Sequence, residues 1–130
     1  MADNVQLPRP TDAELEILSV LWSTGPATVR QVYERIGERR PAQYSTILKF
    51  MQIMADKGLL IRDEKQRAHV YKAARPREWT QQQLAGHLLE RAFSGSAKAL
   101  LIGALSARKT TKSELAEIRK LVDEYGKGTK

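Results

Sequence analysis

Apolar residues in this chain come in short blocks, each opened by a capping signal or closed by glycine or proline. That pattern specifies short helices and strands around a small core. The first block opens at Thr11, with Pro10 just before it and Glu14 at capping-box spacing. Leu15, Leu18, Leu21 and Trp22 then recur at helical intervals until Ser23-Thr24-Gly25-Pro26 stops the helix. A second helix opens with Thr28 and Gln31 at the same spacing. Val29, Val32 and Ile36 form its stripe, and Gly37 is the expected C′ residue. The third helix runs over about 44–57 and closes at Gly58. Ile47, Phe50, Met51 and Met54 share its inner face, and Ser45, Thr46, Lys49 and Gln52 its outer one, with no acidic residue among them.

Residues 59–62 and 68–71 read as two short strands, joined by a polar connection over 63–67. Past Arg75-Pro76 the strand signals end. Three helical patterns follow, over about 80–93, 97–107 and 111–125. The last carries a capping-box pair, Thr111 with Glu114, and a stripe of Leu115, Ile118, Leu121, Val122 and Tyr125. Residues 1–6 and 126–130 read as disordered ends.

With 130 residues the chain suits one ordinary domain better than two. Its 22 Lys and Arg against 15 Asp and Glu give a net charge of +7, which points to a polyanionic partner. The charge is uneven. Residues 1–38 hold three basic and six acidic side chains, whereas residues 39–75 hold nine basic and three acidic. The excess falls on the third helix and the hairpin after it.

Several function classes are excluded. Without cysteine there is no disulfide scaffold, thiolate zinc site, cysteine nucleophile or thiol switch. His87 and Glu90 lie one turn apart but have no third ligand nearby. The glycines never form a phosphate-binding loop, and no Ser/His/acid set has a local signature. The expectation is therefore no enzyme, no cofactor and no metal. The longest uncharged apolar stretch, residues 99–107, is less than half a membrane span, and the first ten residues show no secretory signal. A cytoplasmic protein without a membrane partner is expected.

Two helices, a turn, a third helix with a polar-to-basic outer face and a basic two-stranded ribbon make the order of a winged helix-turn-helix. The fold class expected is mainly α with a small β-hairpin wing: a DNA-binding domain over 7–75 and a helical dimerisation region over 76–126. A third helix of this kind enters the major groove and reads base edges from its first turns. Ser45 and Thr46 offer hydroxyls there, Tyr44 stands at its start, and Lys49 reaches a guanine edge or a phosphate. Lys49 alone reads as a solvated lysine; it counts as a contact because it shares a face with Ser45 and Thr46. Lys65, Arg67 and His69 lie along the DNA backbone or dip into the minor groove. Thr28 and Arg30 place a hydroxyl and a cation near a phosphate.

The last three helices carry Leu84, Leu88, Phe93, Leu101, Leu105, Leu115, Ile118 and Leu121, more apolar surface than three short helices easily hide. A second copy of the chain is the expected cover. The alternative is a winged-helix adaptor that binds protein, its basic face incidental. A nuclease is a distant third, because no metal-binding acidic cluster is present.

The segments Thr11-x-x-Glu14-x-x-Ile17-Leu18-x-x-Leu21-Trp22, Thr28-Val29-Arg30-Gln31-Val32 and Tyr44-Ser45-Thr46-Ile47-Leu48 resemble the penicillinase repressor family (BlaI/MecI type). So do Asp56-Lys57-Gly58-Leu59 and Arg67-Ala68-His69-Val70-Tyr71, and the likeness runs over about residues 7–125. Each motif is weak alone; five in the right order and spacing are strong. The resemblance implies a bacterial transcriptional repressor that binds a near-palindromic double-stranded operator as a homodimer. It also implies a membrane sensor-protease system acting upstream. By position, Ser45, Thr46 and Lys49 match the recognition surface, and Arg67 and His69 the wing. Two family features are missing. Copper-responsive members end in a cysteine-rich tail, and others are cleaved at an Asn-Phe bond where this chain has Ile102-Gly103-Ala104-Leu105.

Overall fold

The computed structural model describes residues 9–128. The elements run α1 (Asp12–Thr24), β1 (Ala27–Thr28), α2 (Val29–Gly37), α3 (Tyr44–Lys57), β2 (Leu60–Asp63), β3 (Val70–Ala73), α4 (Arg77–Ala92), α5 (Ala97–Ala107) and α6 (Lys112–Lys127). The chain divides into two compact units, one ending at Leu84 and the other beginning at Ala85, inside α4.

Local signals place the first three helices. The Thr11 hydroxyl accepts from the Glu14 N–H at 3.2 Å and the Glu14 carboxylate accepts from the Thr11 N–H at 3.0 Å. Thr28 and Gln31 repeat the box at 3.2 and 2.8 Å. Together the two boxes satisfy backbone donors that a helix start leaves open. Gly58 ends α3 at a φ of 87°, a left-handed conformation that glycine adopts without strain. Gly37, in contrast, stays helical and Glu38 takes the cap position.

The sheet is larger than expected. Its order is β1-β3-β2, all antiparallel, with Thr28 opposite Val70 on one side and Asp63 opposite Val70 on the other. The two hairpin strands lie one and two residues later than the alternation suggested, so the tip spans residues 64–69. The third strand, β1, is two residues long and also supplies the N-cap of α2.

Among the described residues of this first unit thirteen apolar side chains are buried, including Ile17, Leu18, Leu21, Val32, Ile36, Ile47, Met51, Met54 and Tyr71. Burial of a side chain of this size contributes roughly 1.5–3 kcal/mol. Phe50, expected in the core, is only half-buried and packs against its edge. The start of α4 belongs to the same unit. The Trp22 indole donates to the Arg75 carbonyl at 3.0 Å, and the Arg75 and Arg77 guanidiniums lie over the rings of Trp79 and Trp22.

In the second unit α4 ends in a tight turn. Ser94 and Gly95 both take positive φ, and the Ser96 hydroxyl caps α5 by accepting from the Ala99 N–H. Gly103 faces Phe93 so closely that a Cβ there would meet the ring at 3.3 Å. At Thr111 only the hydroxyl half of the expected box forms, accepting from the Glu114 N–H at 3.0 Å. Helix α6 continues through Gly126 to Lys127, so those two residues are helical rather than disordered. The expected disorder of residues 1–6 lies outside the described residues, as does that of residues 129–130. None of the described residues of this unit is buried.

Candidate nucleic-acid interface

Helix α3 has two unlike faces, and its sequence sets them. At about 100° per residue, Ile47, Met51 and Met54 fall on one side, and all three are buried. Ser45, Thr46, Lys49, Gln52 and Ile53 fall on the other, and all are exposed. Tyr44 falls on the flank. Its ring meets Tyr33 of α2 edge-on, with centroids 5.8 Å apart, and the Arg30 guanidinium lies 5.2 Å from its centroid. Thr46 also borders a shallow cleft of about 330 Å3 together with Ala13, Ile17, Ala42 and Phe50.

The start of α3 is chemically open. Unlike α1 and α2, it has no side-chain cap, and, like α2 but unlike α1, it has no acidic residue in its first turn. The partial positive charge of the helix end is therefore not neutralised locally.

Ion pairing sorts the basic residues of 39–75 into two groups. Arg40 holds Glu16 through both Nε and Nη2, with the shortest contact at 2.6 Å. Arg40 keeps the Glu16 carboxyl below its usual range, outweighing the opposing effect of burial. Lys57 pairs at 2.9 Å with Glu14, which is only 2% exposed. Burial alone would raise the Glu14 carboxyl, but the Thr11 N–H and the Lys57 ammonium together bring it below the usual carboxylate range. Arg62 pairs with Glu64 at 2.8 Å, and the Tyr71 hydroxyl and Glu64 both favour its charged form. These three cations hold the turn before α3, the end of α3 and the wing. Among the described residues, Lys49, Lys65, Arg67 and Lys72 make no ion pair, and their charge is available to an outside anion. Arg39 and Arg75 make none either, but Arg39 helps to hold the Glu16 carboxyl low and Arg75 lies over the Trp79 ring.

Each residue expected at the site can now be placed. Ser45, Thr46 and Lys49 share the outer face of α3. Lys65, Arg67 and His69 all lie in the exposed tip between β2 and β3. Arg30 is exposed at the start of α2 beside Tyr44, while the Thr28 hydroxyl oxygen is already engaged as a cap. Sequence reasoning missed Lys72 and Tyr33. With β3 at Val70–Ala73, the alternation that buries Tyr71 turns Lys72 outward, a signal available once the strand is set correctly.

A profile described as "Penicillinase repressor" matches residues 10–124. The chain belongs to the penicillinase repressor family. Two curated relatives, each called "Transcriptional regulator BlaI" and from two strains of Mycobacterium tuberculosis, are 35% identical over 99 residues. That alignment covers 75% of this chain and 72% of each relative. Among solved structures, the DNA-binding domain of the repressor BlaI matches with a TM-score of 0.50 and 24% identity, over 55% of this chain and 88% of that one. This likeness bears on the fold, which is a winged helix-turn-helix followed by three further helices. In this member of the family α3 is the third helix of the winged-helix fold and the β2–β3 hairpin is its wing.

Proposed function

We propose that this chain represses transcription by binding a near-palindromic operator as a homodimer, with residues 7–75 on DNA and 76–126 joining the two copies. One observation carries the DNA reading. Over residues 44–53 the outer face of α3 bears hydroxyl, amide and ammonium groups without a carboxylate, the exposed Asp56 following only in the last turn, and the cations at Lys49, Lys65 and Arg67 make no internal ion pair. A helix with such a face fits the major groove of B-DNA, where Ser45, Thr46 and Lys49 reach base edges. Tyr44 and Arg30 border it. Lys65, Arg67 and His69 meet the backbone on the wing side, and Thr28 caps α2 toward a phosphate.

The dimer reading rests on the second unit. Leu88, Leu101, Leu115 and Leu121 are exposed there, and Phe93, Leu105 and Ile118 are half-buried, as is Leu84 at the end of the first unit. So few residues rarely close a core alone, and a second copy covers this surface while doubling the DNA sequence read. The setting is the cytoplasm, with a membrane sensor-protease system acting upstream; among the described residues no helix is long and apolar enough to cross a membrane.

A mobility-shift titration at several salt concentrations tests the reading, with duplex from the promoter of the chain's own gene set against random duplex. Tighter binding to the promoter and a steep loss with salt are expected. Equal binding to both duplexes contradicts sequence-specific repression and favours the protein-binding adaptor.

A further inference from the structure

We infer that Tyr33 is a positioning residue for Arg30, acting through the Tyr44 ring to present the Arg30 guanidinium to a DNA phosphate. This deepens the DNA-binding reading and rests on it. Arg30 is exposed on α2, and Glu34 lies one turn further along, at a spacing that allows an ion pair. Among the described residues no such pair forms. The guanidinium instead lies 5.2 Å from the centroid of the Tyr44 ring, on the neighbouring helix. That ring is held in turn by Tyr33, at 5.8 Å and 80° between planes. Tyr33 is itself half-buried and packs against the core. A continuous line of contacts therefore runs from the core, through two rings, to one exposed cation.

The choice of contact matters chemically. A carboxylate partner would occupy the N–H donors of the guanidinium and cancel its charge. A ring attracts the cation through its π face and accepts no conventional hydrogen bond, so the five donors and the full charge stay available to phosphate oxygens. Holding the long side chain in place beforehand also lowers the entropy lost on binding. Tyr33 has no need to touch DNA to have this effect.

The test is a double-mutant cycle on the full chain, read as affinity for a mixed-sequence 30-base-pair duplex at low salt, because a phosphate contact acts on every sequence. Tyr33→Leu should weaken binding about threefold per bound copy in the wild-type background, in keeping with an exposed cation–ring contact. It should have no further effect once Arg30→Ala is present. Tyr33→Phe should bind as the wild type does, because the ring suffices. If Tyr33→Leu fails to fold, Tyr33→Met gives the same cycle with a flexible apolar side chain that keeps the packing against the core edge. Additive losses with Arg30→Ala, no loss on Tyr33→Leu, or an equal loss on Tyr33→Phe would overturn the inference. Failure of the wild type to bind any duplex would instead remove the DNA-binding reading and the inference with it.

Discussion

The two units of this chain treat apolar residues in opposite ways. The first, built from α1 to β3 and the start of α4, buries thirteen apolar side chains and ties its surface with Glu14–Lys57 and Glu16–Arg40. The second, from Ala85 onward, is comparably rich in leucine yet buries none of its described residues; Ile102, Leu121 and Val122 are each more than half exposed. Amphipathic pattern alone thus does not make a core. It makes a core where several elements converge, as three helices and a sheet do in the first unit. Where they do not converge, it leaves the apolar stripe exposed.

The largest expected contrast is in stability. Met51→Ala empties a fully buried site and should lower the unfolding free energy of the first unit by about 2–5 kcal/mol. Leu121→Ala, on a side chain 53% exposed, should change the unfolding of dilute chain by less than about 0.5 kcal/mol. Denaturant titration of both variants checks this, and equal losses would erase the distinction between the units.

The next effect concerns the ties of the first unit. Glu14→Gln removes one charge of a largely buried pair and weakens a cap, and should cost about 2–3 kcal/mol. Because the folded-state carboxyl lies below its ordinary value of 4.5, its contribution is fully present above that pH. It is lost as pH falls through the lowered folded value. Acid titration of stability should therefore be steeper in the wild type than in Glu14→Gln, while the second unit contributes nothing to the difference.

Smaller effects separate reading from holding on DNA. Thr46→Ala should cost about 1–3 kcal/mol on the specific duplex and little on random sequence. Arg67→Ala should weaken every duplex and reduce the log–log salt slope by roughly 1.8 for a dimer. Neither should change the mass of the protein in solution. A shift in oligomeric state from either would mean that the first unit also carries the association.

Much of this division was legible in the sequence, for local reasons. The bounds of α3 follow from its apolar stripe and Gly58, and the starts of α1 and α2 from their capping boxes. The winged-helix class followed from the order of these elements and from charge concentrated in 39–75. What could not be read was short or distant. Strand β1 has two residues, too few for any periodicity. The second wing strand reads two residues early because Ala68-His69-Val70 alternates as a strand does, without glycine or proline to mark the tip. Gly126 signals a stop that α6 ignores. Lys57 and Glu14 are 43 residues apart and Arg40 and Glu16 are 24 apart, so only the fold reveals which cations are already engaged.

If the first unit folds alone and the second joins two copies, sedimentation equilibrium separates the full protein from a version ending at Leu84. The full protein should run at twice the 14.7 kDa chain mass at micromolar concentration, and the shortened one as a folded monomer. A full-length chain that stays at 14.7 kDa at tens of micromolar while binding its promoter tightly would contradict that division.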